Sequence, residues 1–150
     1  MPALYIDADA CPVRSEAMTV ALRHKVPVFI VSNGGIRPVE HPLVTNIYVD
    51  QGADEADKWI ADQTGPGDVV VTSDIPLAAR CIDSGATVVK PDGTTLTAAS
   101  IGNALAMRDL AADLRAADPF RAGSGKAFSA RDKANFSQTL ERLIVAALRN

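Results

Sequence analysis

The sequence predicts an α/β fold with a mostly parallel central sheet covered by helices on both faces. Two observations carry this. Short apolar runs alternate with amphipathic segments along most of the chain, and those runs are continuous and end in polar or acidic residues. Strands buried on both faces read this way, whereas half-exposed strands alternate apolar with polar.

Ala3 to Ile6 is the first such run and ends in acids. Pro12 suits the first turn of a helix reaching about His24. The run VPVFIV, Val26 to Val31, is rich in β-branched residues and bounded by turn formers, which marks a second strand. SNGGIRPVEHP then forms a loop, and Val44 to Val49 a third strand. GADEADKWIADQTG reads as a helix stopping at Gly65. PGDVVVTSD supplies a turn, a strand and a polar end, Ile75 to Ser84 a helix stopped by Gly85, and Ala86 to Val89 a further strand. The order βαββαβαβ follows.

Beyond PDGTT the pattern becomes helical. Residues 99–117 carry the stripe Ile101, Leu105, Leu110 and Leu114. DPFRAGSGKAFS is a loop rich in glycine and basic residues. Ser129 and Asp132 are spaced as a capping box with aspartate in place of glutamate. Phe136, Leu140, Leu143, Ile144 and Leu148 mark a final amphipathic helix. Residues 1–150 are therefore expected to form a single domain with a helical segment from about 99 to 150.

Composition bounds the function. The chain has 150 residues, 47% hydrophobic and 22% charged, with net charge −3. This is an ordinary globular balance, and it argues against a surface wholly dedicated to nucleic acid. Cys11 and Cys81 lack zinc-site spacing and read as reduced, mostly buried thiols. The N-terminus has no signal-peptide pattern and no apolar run approaches a membrane span, so a cytoplasmic protein without membrane contact is expected. The pattern leaves oligomeric state open.

The chemistry lies in the acids. Asp7 and Asp9 follow the first strand and Asp74 follows VVVT. In parallel α/β sheets, ligand sites lie beyond the carboxyl ends of the strands. Carboxylates gathered there repel unless a cation sits among them, and their hard oxygens suit Mg²⁺ or Mn²⁺. Asp54 and Asp57 share a helix face and could reach the same rim. Each acid also has a structural use. Asp7 and Asp74 could cap the helices after them, and Asp54 and Asp57 complement a helix N-terminus. The coincidence of four or five at one rim favours a metal site. Asp92, in a PDG turn, reads as a turn residue.

Ser73, Thr72, Ser32 and Asn33 also fall at strand ends. The loop and helix start from Arg121 to Lys133 hold Arg121, Lys126, Arg131 and Lys133, where cations would suit a phosphate backbone or a plain solvated loop. His24 and His41 have no partner visible in sequence, and Trp59 reads as core.

DADACP, GADEAD, TSDIPLAARCI and FSARDKANFSQTLERL, in this order and over nearly the whole chain, resemble the YaiI/YqxD family, which is grouped with the PIN-like nuclease superfamily. The resemblance implies a three-layer α/β/α sandwich with an acidic, metal-binding pocket. It implies that Asp7, Asp54 or Asp57, and Asp74 match the three acids of such nucleases, with Asp92 the candidate for a fourth and Asp9 an extra acid of the DADACP pattern.

The expected function is thus a metal-dependent phosphodiesterase, RNA being the expected partner. Asp7 and Asp74 are the catalytic acids. Asp7, Asp9, Asp54, Asp57 and Asp74 hold Mg²⁺ or Mn²⁺. Ser73, Lys126, Arg131 and Lys133 contact substrate. Two rivals stand beside it. IDADA, VSNGG and GDVVVTSD also resemble haloacid-dehalogenase-like phosphatases, with Asp7 as nucleophile, Asp9 as general acid, Ser32 on phosphate and Lys58 as stand-in lysine. A non-catalytic module for nucleic acid or protein is the other.

Overall fold

The computed structural model describes residues 2–51, 55–117 and 129–149. Its strands are β1 (Leu4–Asp7), β2 (Val28–Ser32), β3 (Val44–Tyr48), β4 (Val69–Val71), β5 (Thr87–Val89) and β6 (Thr95–Leu96). Its helices are α1 (Arg14–Arg23), α2 (Glu55–Gln63), α3 (Ile75–Asp83), α4 (Ala98–Ala117) and α5 (Ala130–Arg149), and a 3-10 turn, Ala8–Ala10, follows β1.

The six strands form one sheet in the order β3-β2-β1-β4-β5-β6. The first five are parallel, and β6 returns antiparallel to β5. The chain builds outward from β1 to β3, then crosses back to place β4 on the other side of β1. Right-handed crossovers then put the connecting helices on opposite faces for the two halves.

Alternation along the strands splits the core accordingly. Leu4, Ile6, Val28, Ile30, Val69 and Val71 pack against α1 and against Phe136, Leu140 and Ile144 of α5. Tyr5, Val31, Val70 and Val88 pack against α2, α3 and Ile101 and Ala104 of α4. The result is the expected three-layer sandwich. β4 is apolar throughout, and β1 is buried up to its last residue, Asp7, because neither face of these strands meets water.

Sequence reading missed β6. Two residues are too few to show a period. The Asp-Gly turn before it closes instead through Gly93, whose φ is +92°, with Lys90 N–H donating to Thr94 O at 2.8 Å. A Cβ at Gly93 would stand 3.0 Å from the backbone oxygen of Asn135. This close approach docks the first turns of α5 beside the carboxyl end of β5. Near its middle, α5 is tied to the end of α1 by His24, whose Nε2 lies 2.6 Å from Glu141 Oε1. That partner is 117 residues away, which is why the sequence concealed it.

Helices α1 and α3 end in the same motif. Val26 N–H donates to Ala21 O and Lys25 N–H to Leu22 O; Ala86 N–H donates to Cys81 O and Gly85 N–H to Ile82 O. The motif needs a left-handed residue. α3 supplies Gly85 at φ +94°, while α1 supplies Lys25 at φ +58°. A side chain there costs roughly 1–2 kcal/mol. Lys25→Gly is therefore expected to stabilise the protein by up to about 1 kcal/mol in urea unfolding, the gain being reduced by the added chain entropy of glycine.

Candidate metal and phosphate site

β1 lies between β2 and β4, so its carboxyl end is at the point where the strand order switches direction, the usual place for a ligand in such sheets. Asp7 is the last residue of β1 and Ile6 pairs with Val71. This register sets Thr72 beside Asp7. The Thr72 hydroxyl, 2% exposed, donates to Asp7 Oδ2 at 2.9 Å and accepts from Asp74 N–H at 3.0 Å. One buried hydroxyl thus joins the two acids expected to be catalytic.

Asp74 caps α3, its Oδ1 accepting from Leu77 N–H at 3.0 Å. The capping and rim positions expected of it are thus one position. Asp7 caps nothing through its side chain. Asp9 sits exposed in the 3-10 turn, and its Oδ1 accepts from Asn33 N–H at 3.0 Å, pinning the turn to the end of β2.

Burial holds the Asp7 carboxyl above its ordinary value. The Thr72 hydrogen bond lowers it, and the charges of Asp9 and Asp74 raise it further. Both acids therefore act on Asp7. Asp57 is half-buried on α2 and meets Asp7 only through a third group: the Cys81 thiol, raised first by burial, is raised also by Asp57 and Asp7. Burial likewise pushes the Cys11 thiol up, to about 11, so it is a protonated packing group.

The remaining expectations divide. Ser73 is exposed at the rim between Thr72 and Asp74. Arg131 and Lys133 are exposed in the opening turns of α5, whose start is fixed by the expected capping box: Asp132 N–H donates to Ser129 Oγ at 3.1 Å and Ser129 N–H to Asp132 Oδ2 at 3.2 Å. Asp54, Arg121 and Lys126 lie outside the described residues. Asp92 closes its turn by accepting from Thr94 N–H at 2.9 Å. Burial pushes its carboxyl up, but the Thr94 bonds and Lys90 outweigh this and leave it below its ordinary value. Ser32, 1% exposed, ends β2 and accepts from Gly34 N–H. Lys58, the stand-in lysine of the phosphatase reading, is exposed and lies 3.7 Å from Glu55.

Among the described residues, no three carboxylate, imidazole or thiol groups form a ready-made metal cage. The rim is an open set of oxygens. Asp9 and Asp74 each commit one oxygen to a backbone N–H, and Asp7 commits one to Thr72. Each of these acids keeps a second oxygen, and the Asp7 carboxyl is held above its ordinary value first by burial and then by the charges of Asp9 and Asp74; carboxylate oxygens are the hard donors that divalent cations such as Mg²⁺ take.

A three-layer α/β sandwich with an acidic rim at its switch point is a class shared by many activities. The chain belongs to the YaiI/YqxD family: the family model described as "Uncharacterized BCR, YaiI/YqxD family" matches residues 5–146. A UPF0178 protein of Cereibacter sphaeroides (strain ATCC 17025) is 64% identical, covering 95% of this chain and 88% of the relative. UPF0178 proteins of Roseobacter denitrificans and Parvibaculum lavamentivorans are 62% and 50% identical, each alignment covering at least 95% of both chains. No solved structure matches the chain. Among the described residues, no helix is long and apolar enough to cross a membrane.

The Asp7 shift fixes a sign. A carboxyl raised in the folded state favours folding when protonated, and that contribution is lost as pH rises from the unfolded value of 3.8 through the folded one. At neutral pH without metal, ionised Asp7 therefore opposes folding. Asp7→Asn, whose side-chain oxygen can still accept from Thr72, is expected to raise the Tm at pH 7 and to leave it little changed near pH 3. Thermal melts in EDTA at the two pH values check this.

Proposed function

We propose that the protein is a divalent-metal-dependent phosphodiesterase acting on nucleic acid, with RNA its substrate. One observation carries the reading: the half-buried Asp7 carboxylate is held above its ordinary value with Asp9 and Asp74 around it and is locked to Asp74 through Thr72. With Asp7 ionised and no cation present this arrangement costs stability, and a divalent cation among the three acids would relieve it.

Asp7 and Asp74 would hold Mg²⁺ or Mn²⁺, with Asp9, Asp57 and Asp54 as further oxygen donors. Such an ion lowers the pKa of bound water and offsets charge on phosphorus oxygens. The chain's own contributions are positional. Thr72 fixes the Asp7 carboxylate and the entry of α3 together. The cap to Leu77 N–H fixes the Asp74 carboxyl. Asn33 N–H holds Asp9 at the mouth. Exposed Ser73 can donate to a phosphate oxygen, and Arg131, Lys133 and Lys126 supply positive charge for the backbone.

Mn²⁺ binding measured by calorimetry, with cleavage of a single-stranded RNA, tests this. Asp7→Asn and Asp74→Asn are each expected to lose cleavage by about 100-fold or more. Thr72→Val, which leaves both carboxylates in place, is expected to weaken Mn²⁺ binding about 10–100-fold. Metal-dependent cleavage that survives both aspartate changes sinks the proposal. A phosphoaspartate trapped on Asp7 would replace it with the phosphatase reading.

A further inference from the structure

The two sheet edges are finished differently. β6 is two residues long and its hairpin with β5 closes that side. β3 is five residues, VTNIY, with no lysine, proline or acid along it. Edge strands are normally blunted by such residues, because unpaired N–H and C=O groups recruit another chain.

The orientation of the β3 backbone follows from its bonds. Leu43 O accepts from Val28 N–H, and Val49 N–H donates to Ser32 O. Odd-numbered residues therefore face β2, and the backbone groups of Asn46 and Tyr48 face outward. Among the described residues, neither backbone is bonded from outside the sheet. Tyr48 is 52% exposed.

Beside this edge lies an open, shallow cleft of about 410 Å³ between the end of β3 and α2. Asp50, Glu55 and Asp62 line it, with Trp59 and Lys58. The Lys58 amine lies 3.7 Å from Glu55. Asp50 and Asp62 are exposed and make no ion pair among the described residues. The cleft therefore keeps a net negative charge next to an indole, a combination that attracts a lysine or arginine side chain.

We infer that the β3 edge and the adjoining acidic cleft form a docking site for an extended basic peptide segment of a partner protein. The peptide adds as a strand on the Asn46 and Tyr48 backbone, and its arginine or lysine side chains enter the cleft toward Asp50, Asp62 and Trp59. Charge decides among occupants. A nucleic acid would bring phosphates against the unpaired acids. A second copy would bring no lysine or arginine, since residues 40–50 contain none. The inference does not depend on the proposed nuclease activity.

Trp59 is the single tryptophan of the chain, packed with its ring centre 6.0 Å from Tyr5 and 6.1 Å from Phe29 and lining the cleft, so its emission senses an occupant there. The experiment titrates the metal-free protein with a synthetic heptapeptide alternating Arg and Val. A matching Glu-Val peptide and a single-stranded RNA serve as comparisons, and sedimentation follows self-association. A saturable change with the Arg-Val peptide only is expected. It should weaken at least about tenfold in Asp50→Asn/Asp62→Asn. It should disappear in Tyr48→Pro, which removes an outward N–H and is tolerable on an edge strand. Circular dichroism checks that each variant is folded, and should Tyr48→Pro unfold, the double aspartate variant decides alone. No saturable response, a response unchanged in the double variant, a response to RNA alone, or self-association without peptide binding would each overturn the inference.

Discussion

The parallel pairing of β1 with β4 is the constraint from which the site follows. Ile6 pairs with Val71, so the next residue of each strand, Asp7 and Thr72, emerges side by side at the carboxyl edge. The Thr72 hydroxyl then bonds in two directions, to the Asp7 carboxylate and from the Asp74 amide. A one-residue slip would turn Asp7 to the opposite face and bury it against α1 and α5. Such a slip is opposed on β1, where Leu4 and Ile6 fill one core and Tyr5 the other, since it would exchange the two sets.

That geometry sets stability against charge. The carboxylate that ends the central strand is half-buried and surrounded by acids, and its ionisation opposes folding. The neighbouring acids are restrained by bonds that also serve the fold: Asp74 caps α3, and Asp9 ties the turn after β1 to the end of β2. Structural use and chemical use coincide in the same groups, since a cap both fixes a carboxylate and leaves its second oxygen available. Asp92 shows the contrast. Its bonds to Thr94 lower its carboxyl, and nothing in its surroundings calls for a cation.

The two faces of the sheet divide the remaining work. On one, α5 is set by the close approach of Gly93 to Asn135 and by the His24–Glu141 contact, which presents Arg131 and Lys133 at its start. On the other, α2 carries Asp57 and, two residues further, Trp59, which packs onto Tyr5 and Phe29. The same helix borders the cleft beside β3. Trp59 is core on one side and cleft wall on the other, so reading it as core alone was half of its role.

Local pattern determined most of the architecture. Uninterrupted runs such as VPVFIV and VVV announced strands buried on both faces, the S-x-x-D spacing announced the start of α5, and acids at strand ends announced the rim. These features are local, because apolar runs, caps and glycine stops act within a few residues. Tertiary structure decided what depends on contacts between distant segments. The strand order put Asp7 next to Thr72, a residue the sequence offered only as one strand-end hydroxyl among several. It gave His24 its partner on α5, turned the PDG segment into a hairpin through two residues too short to show a period, and left β3 rather than β6 as the open edge. Register and strand neighbours arise from packing between separate segments, Leu4 pairing with Val28 on one side and with Val69 on the other, and no local pattern encodes them.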